Sequence, residues 1–180
     1  MTRILLGAGA SVAVYKACDL ASKLSQAGHE VRAVLTPRAA QLVAPQLFEA
    51  VTGQPAQVDE FGPSRRGAMD HIELAAWAEL LLVAPASADL VARLALGLGG
   101  DLLTTAALAF PASRPRMICP AMNPAMLEAA PLQRHLDTLR EDGWQVVEPA
   151  AGHMACGDEG KGRLPEPSEI LARLAELGWS

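Results

Sequence analysis

Short apolar runs alternate along this chain with longer stretches in which apolar residues recur every three or four positions. Arg3 to Gly7 reads as a strand, and Val12 to about Ala27 carries the helical period and is closed by Gly28. A second strand spans Glu30 to Thr36, and Pro37 opens a helix that runs through Arg38, Ala39 and Ala40. From Phe48 to Met69 the periods mix around Gly53, Pro55, Gly62 and Pro63, which predicts an irregular connection holding one short strand. Leu80 to Ala84 is an unbroken apolar strand closed by Pro85, and after Ala86-Ser87-Ala88-Asp89 a helix runs toward Leu96. Beyond Gly97, Gly99 and Gly100 come a short helix from Asp101, a strand at Met117-Ile118-Cys119, a helix from Pro124 to about Arg140 and a strand over Trp144 to Val147. Ala150 to Pro167 reads as a polar, glycine-rich loop, and Ser168 as the cap of a last helix ending at Leu177. Strands that alternate with helices and are apolar on both faces predict an α/β fold: a doubly wound parallel sheet, Rossmann-like or flavodoxin-like, with residues 1–180 as a single domain.

In such a sheet ligands bind at the carboxyl ends of the strands, and the residues with chemistry fall there. Pro120-Ala121-Met122-Asn123 leaves the Met117 strand just before a helix that starts near Pro124. The Asn123 amide, with two donors and one acceptor, suits a carboxylate or a ring edge, and equally suits the cap of the following helix. Gly7-Ala8-Gly9-Ala10-Ser11-Val12 resembles a dinucleotide fingerprint, yet Val12 stands at the third glycine position and the second strand ends Leu35-Thr36-Pro37 without an acidic residue for a ribose. A helix start with the Ser11 hydroxyl, next to a second exit carrying Thr36, fits a single phosphate, as in flavin mononucleotide, better than a pyrophosphate. A purely structural reading, with Ser11 as a cap and Gly9 as a turn glycine, is also open at this level. Ser87 and Asp89 form a third polar cluster at a strand exit.

Composition narrows the function classes. The chain is 51% hydrophobic but only 4% aromatic, which suits tight helix-to-sheet packing and burial between subunits. A net charge of -5 argues against a nucleic-acid partner. No uncharged apolar run approaches the ~18 residues of a membrane span. Met1-Thr2-Arg3 leads straight into a strand instead of a signal peptide, so a soluble, cytoplasmic protein is expected. Cys18, Cys119 and Cys156 are widely spaced and odd in number, which indicates neither a disulfide framework nor a zinc pair.

Six stretches carry a family resemblance: Gly9-Ala10-Ser11-Val12-Ala13-Val14-Tyr15-Lys16, Asp70-His71-Ile72-Glu73-Leu74, Ala84-Pro85-Ala86-Ser87-Ala88-Asp89-Leu90, Asp101-Leu102-Leu103-Thr104-Thr105, Pro120-Ala121-Met122-Asn123, and Ala155-Cys156-Gly157-Asp158 through Gly160-Lys161-Gly162-Arg163-Leu164. In that order they resemble the homo-oligomeric flavin-containing cysteine decarboxylases, and within them the members that act on phosphopantothenoylcysteine. Gly100 departs from the Asn or Asp usual before Asp101, and Cys119 from the small or apolar residue usual before Pro120. The resemblance implies FMN held by Gly9, Ser11, Thr36, Ser87, Asp101 and Met122, with Asn123, Ala155, Lys161 and Arg163 on the substrate. It implies decarboxylation of phosphopantothenoylcysteine to phosphopantetheine in coenzyme A biosynthesis. A cysteine carboxylate has no electron sink; hydride removal by the flavin from the carbon bearing sulfur gives a thioaldehyde beta to the carboxylate, carbon dioxide leaves to give an enethiolate, and return of the hydride with a proton closes the cycle without net redox change.

The same resemblance assigns three catalytic side chains. His71 is the base for the substrate thiol, since an imidazole titrates near ~6.5. Asn123 holds the carboxylate with neutral donors, where an arginine would overstabilise the ground state. Cys156, in a lid loop over residues 150–167, donates the proton of the reductive half; a thiol with a reference pKa of ~8.5 is mostly protonated at neutral pH. His153 and Cys156 are two potential ligands without a second pair, so no metal is expected. Expected partners are further copies of the chain, in a trimer or a dodecamer of trimers with each flavin near a subunit boundary, and a separate ligase, because Ser180 ends the sequence with no synthetase domain. The alternatives are an oxidative peptidyl-cysteine decarboxylase and a non-catalytic flavin-binding regulatory subunit.

Overall fold

The computed structural model describes residues 1–62, 65, 67–153 and 159–179. Five parallel strands form one sheet in the order β2-β1-β3-β4-β5, with β1 at Arg3–Ala8, β2 at Glu30–Leu35, β3 at Leu80–Ala86, β4 at Arg116–Pro120 and β5 at Gln145–Val146. This is the flavodoxin-like order, with its switch point between β1 and β3. Side chains alternate between two cores because successive strand residues point to opposite faces. Ile4, Leu6, Leu80, Leu82, Met117 and Cys119 pack on one side; Leu5, Leu81, Val83 and Ile118 pack on the other. The first core is covered by α1 (Val14–Gln26), α2 (Pro45–Thr52) and α8 (Pro167–Glu176), the second by α3 (Asp70–Trp77), α4 (Ala88–Ala95), α5 (Leu102–Ala109) and α7 (Ala130–Glu141). The doubly wound reading holds.

Six local expectations need correction. After a short 3-10 turn at Ala39–Gln41, α2 runs into the stretch expected to be irregular from Phe48; it has Pro45 in its first turn and ends on Gly53 at φ +66°. Those are ordinary start and stop signals. The short strand expected there is a single bridge from Gln57 to Val34. The helix expected from Pro124 to Arg140 is two helices, α6 (Pro124–Glu128) and α7, with Ala129 extended between them. Pro131 inside a continuous helix would clash with the carbonyl four residues earlier, whereas in the first turn of a new one it fits. The cap of α8 is Glu166 in a reciprocal pair with Glu169, not Ser168, since the residue before Pro167 is held out of the helical region. Finally, Ala150 to Pro167 contains an antiparallel hairpin of β6 (Ala150–His153) and β7 (Glu159–Arg163). β3 also runs on through Pro85 to Ala86, with a register shift against β4 between Val83 and Ala86.

Candidate active site

The exits of β1 to β4 at the carboxyl edge are each pinned by a small or capping residue. Gly9 donates its N–H to the carbonyl of Pro85 at 2.8 Å, and a Cβ there would sit 2.7 Å from that oxygen and 2.8 Å from Leu90 Cδ2. Glycine is therefore required by close approach of the β1 and β3 exits. Ser11 Oγ accepts the N–H of Ala13 at 3.3 Å, and Thr36 Oγ1 that of Ala39 at 3.2 Å. Ser87 caps α4 through the Leu90 N–H at 3.4 Å. Asp101 caps α5 in a reciprocal pair with Thr104 and takes the Arg93 guanidinium at 3.3 Å, while Arg93 also reaches Asp89 at 3.0 Å.

These exits enclose a cleft of about 200 Å³ lined by Thr36, Arg38, Ser87, Asp89, Arg93 and Asp101 among others. Two hydroxyls, the Arg38 guanidinium and the start of α4 are donors that fit one phosphate, while Arg93 is already paired with Asp89 and Asp101, whose carboxylates line the same cleft. Arg38 and Arg93 escape the sequence reading. The signal for Arg93 is its spacing of four from Asp89 on one helix face.

A second cavity of about 400 Å³ adjoins it, sharing Ala10 and Ser87. Ser11, Tyr15, Lys16, Met122, Asn123 and Met126 line it from the sheet side, and His153, Gly162, Arg163 and Leu164 from the hairpin side. Asn123 caps α6: its Oδ1 accepts the Ala125 N–H at 2.8 Å. The backbone is fixed on both sides, since Ala121 donates to the carbonyl of Ala86 at 2.9 Å and Met122 to that of Gly162 at 3.0 Å.

Lys161 is not in this cavity. The hairpin pairs Ala150 with Arg163 and Ala151 with Lys161, so one extra residue, Gly162 at φ +154°, is inserted in β7. Paired residues share a face and Ala150 and Ala151 face oppositely, so this bulge puts Arg163 and Lys161 on opposite faces. Lys161 lines a separate cleft with Glu128, Arg140 and Glu148.

His71, in the first turn of α3, lines neither cavity. Its neighbour Asp70 is buried and fixed by Gln57 Nε2 at 2.7 Å and the Gly67 N–H at 2.6 Å; His71 Nδ1 lies 2.5 Å from Glu60 Oε1. Gly9 shapes the cavities without lining them. Ala155 and Cys156 lie outside the described residues. Cys119 is fully buried, and desolvation pushes its thiol up to about 12, which keeps it protonated and inert.

The profile of the Flavoprotein family matches residues 1–177. The chain belongs to the Flavoprotein family. Among curated relatives of this Flavoprotein chain, the coenzyme A biosynthesis bifunctional protein CoaBC of Vibrio vulnificus is 44% identical over 170 residues, 94% of this chain and 42% of the relative. The protein of the same name from Bacillus subtilis is 42% identical over 173 residues, 96% of this chain and 42% of the relative. The chain thus spans about two fifths of the length of these relatives. Among solved structures, a PPC decarboxylase mutant complexed with pantothenoylaminoethenethiol superposes with a TM-score of 0.87 at 32% identity over 99% of both chains. The FMN binding protein AtHal3 gives 0.83 at 34% identity, over 99% of this chain and 96% of that one.

Proposed function

We propose that this chain is a single-domain FMN-dependent decarboxylase that converts phosphopantothenoylcysteine to phosphopantetheine in coenzyme A biosynthesis, in a soluble, cytoplasmic setting. The observation that carries the reading is the joining of two cavities: a hydroxyl- and guanidinium-lined cleft beside a larger one where Asn123, Met122 and Arg163 meet. Thr36, Ser87, Arg38 and the Ser11 loop would hold the phosphate of FMN. Bound FMN supplies reversible hydride acceptance, the sink that a cysteine carboxylate lacks. Asn123, fixed by its cap, presents neutral donors to the substrate carboxylate, so the anion is oriented without a cation that would oppose its loss. Met122 and Met126 give that wall an apolar surface that excludes water, and Arg163 on the hairpin suits the substrate's phosphate.

As the base for the thiol, His71 would reach a site from another copy, since within one chain it lines neither cavity. Such an arrangement fits an oligomer with each site completed at a subunit boundary; the assembly proposed is one of trimers, with a ligase supplying the substrate from a separate polypeptide or domain. Residues 150–167 act as the lid, and Cys156 as the acid that protonates the enethiolate carbon.

The test is single-turnover mixing with phosphopantothenoylcysteine, followed by flavin absorbance and product mass, on the wild type and Cys156→Ser. The wild type is expected to release phosphopantetheine with the flavin reoxidised. The serine variant is expected to stop at the enethiol with reduced flavin, since a hydroxyl is far too weak an acid. Enethiol from the wild type would instead mark an oxidative peptidyl-cysteine type of reaction. Bound flavin without turnover would mark a regulatory subunit.

A further inference from the structure

The β6–β7 hairpin carries one wall of the Asn123 cavity, and among the described residues it is attached to the body of the domain at particular points. Gly162 accepts one backbone hydrogen bond from Met122, and Gly160 packs against Pro124, where an added Cβ would come within 3.0 Å of Cγ. A third attachment lies at the base of the hairpin. Lys16, in the first turn of α1, is buried, and its side chain is only 10% exposed. Its Nζ stands 2.6 Å from Glu166 Oε1 and 3.4 Å from the carbonyl of Leu164, the residue that follows the last of β7.

Glu166 is a junction. It caps α8 in its reciprocal pair with Glu169 and meets the Arg163 guanidinium at 3.5 Å as well as Lys16. The Lys16 hydrogen bond, with further help from Arg163, holds its carboxyl below the usual carboxylate range. Lys16 also lines the cavity beside Ser11, on the helix that the first loop leads into. One cation thus joins the first loop, the foot of the hairpin and the start of α8. Lys16 is buried but the Glu166 side chain is half exposed, and a pair open to water on one side adds little net stability, so its use lies in the geometry it imposes.

We propose that the Lys16–Glu166 pair is the anchor that holds the hairpin over the Asn123 cavity, which makes Lys16 a positioning residue for substrate binding. The kinetic part rests on the decarboxylase reading above. The structural part does not.

The experiment compares Lys16→Met, Lys16→Arg and Glu166→Gln in the flavin-loaded protein. Methionine keeps the length of the stem without the charge, and glutamine keeps the oxygen that caps α8. Amide hydrogen exchange over residues 159–164 and at Met122 is expected to quicken about tenfold in Lys16→Met and Glu166→Gln, while the strands of the sheet keep their protection. KM for phosphopantothenoylcysteine should rise about tenfold while kcat moves less than about threefold, and Lys16→Arg should recover most of the loss. Unchanged hairpin exchange in both uncharged variants would overturn the anchor. So would exchange that quickens throughout the domain together with a lowered melting temperature, since that is a purely structural role. If the wild type turns over no phosphopantothenoylcysteine yet the local exchange difference is present, the anchor stands and the decarboxylase reading falls.

Discussion

The two edges of the sheet are closed by opposite means. At the amino edge, polar groups are used up on one another. Arg3 pairs through backbone and side chain with Glu79, which these contacts hold below its ordinary value. Arg114 Nη1 donates to the carbonyls of Ala75, Ala76 and Ala78 at the end of α3, at 3.1, 3.0 and 2.6 Å. Arg116 donates to the carbonyl of Asp142 and lies over the ring of Trp144. At the carboxyl edge Ser87, Asp101 and Asn123 each cap a helix start, and the exits that carry them line two cavities. Parallel strands cause the difference: helix carboxyl ends gather at one edge as acceptors that arginines can cover, while helix amino ends gather at the other as donors for anions. Changes at the carboxyl edge should therefore strike activity, and those at the amino edge stability.

The largest effect is expected at the carboxyl edge. Asn123→Asp keeps the cap of α6, because aspartate caps as well as asparagine. It also sets a second carboxylate against the substrate's own. The single-turnover rate is expected to fall about a hundredfold, or ~2.7 kcal/mol of activation free energy, with the melting temperature little changed. A normal rate would remove Asn123 from carboxylate binding and leave it a cap.

At the amino edge the prediction inverts. Arg114→Met keeps much of the stem but uncovers three carbonyls at the end of α3. Hydrogen bonds from a charged group to helix-terminal acceptors suggest a loss of about 1.5–3 kcal/mol of stability. Denaturant unfolding measures it, and turnover per folded molecule should match the wild type. A kinetic defect without destabilisation would break the division between the edges.

What was legible in the sequence follows the same division. The sheet was readable because its strands are unbroken apolar runs, and Leu80 to Ala84, the clearest of them, is fully buried. The strand exits were readable because Ser, Thr, Asp and Asn occur there for local reasons of capping. The hairpin was missed because Ala-Ala-Gly-His and Glu-Gly-Lys-Gly-Arg show no alternation of apolar and polar residues to mark strands. Lys16 was passed over because its partner is 150 residues away, a pairing that no local pattern encodes. Asn123 shows why one residue can carry two readings. Its cap is a fact of the fold, and its hold on a carboxylate is a separate proposal about the other end of the same amide.

The smallest predicted effect is a pH dependence confined to the amino edge. His29 Nδ1 accepts the backbone N–H of Thr2 at 3.3 Å, so the native contact needs that nitrogen unprotonated. Desolvation, and then the amino-terminal charge, lower its pKa from the ordinary histidine value. A base depressed in the folded state takes its proton first in the unfolded chain. Its contribution is therefore complete above the unfolded value of ~6.5 and is lost as pH falls through the folded value. Melting temperature measured from about pH 7.5 down to about pH 5 should decline, and His29→Gln should flatten part of that decline. The variant should leave single-turnover kinetics untouched at every pH, because His29 lies at the edge opposite both cavities. If instead His29→Gln steepened the decline, protonation of His29 would be stabilising, and the Thr2 contact could not be the one that holds this corner closed.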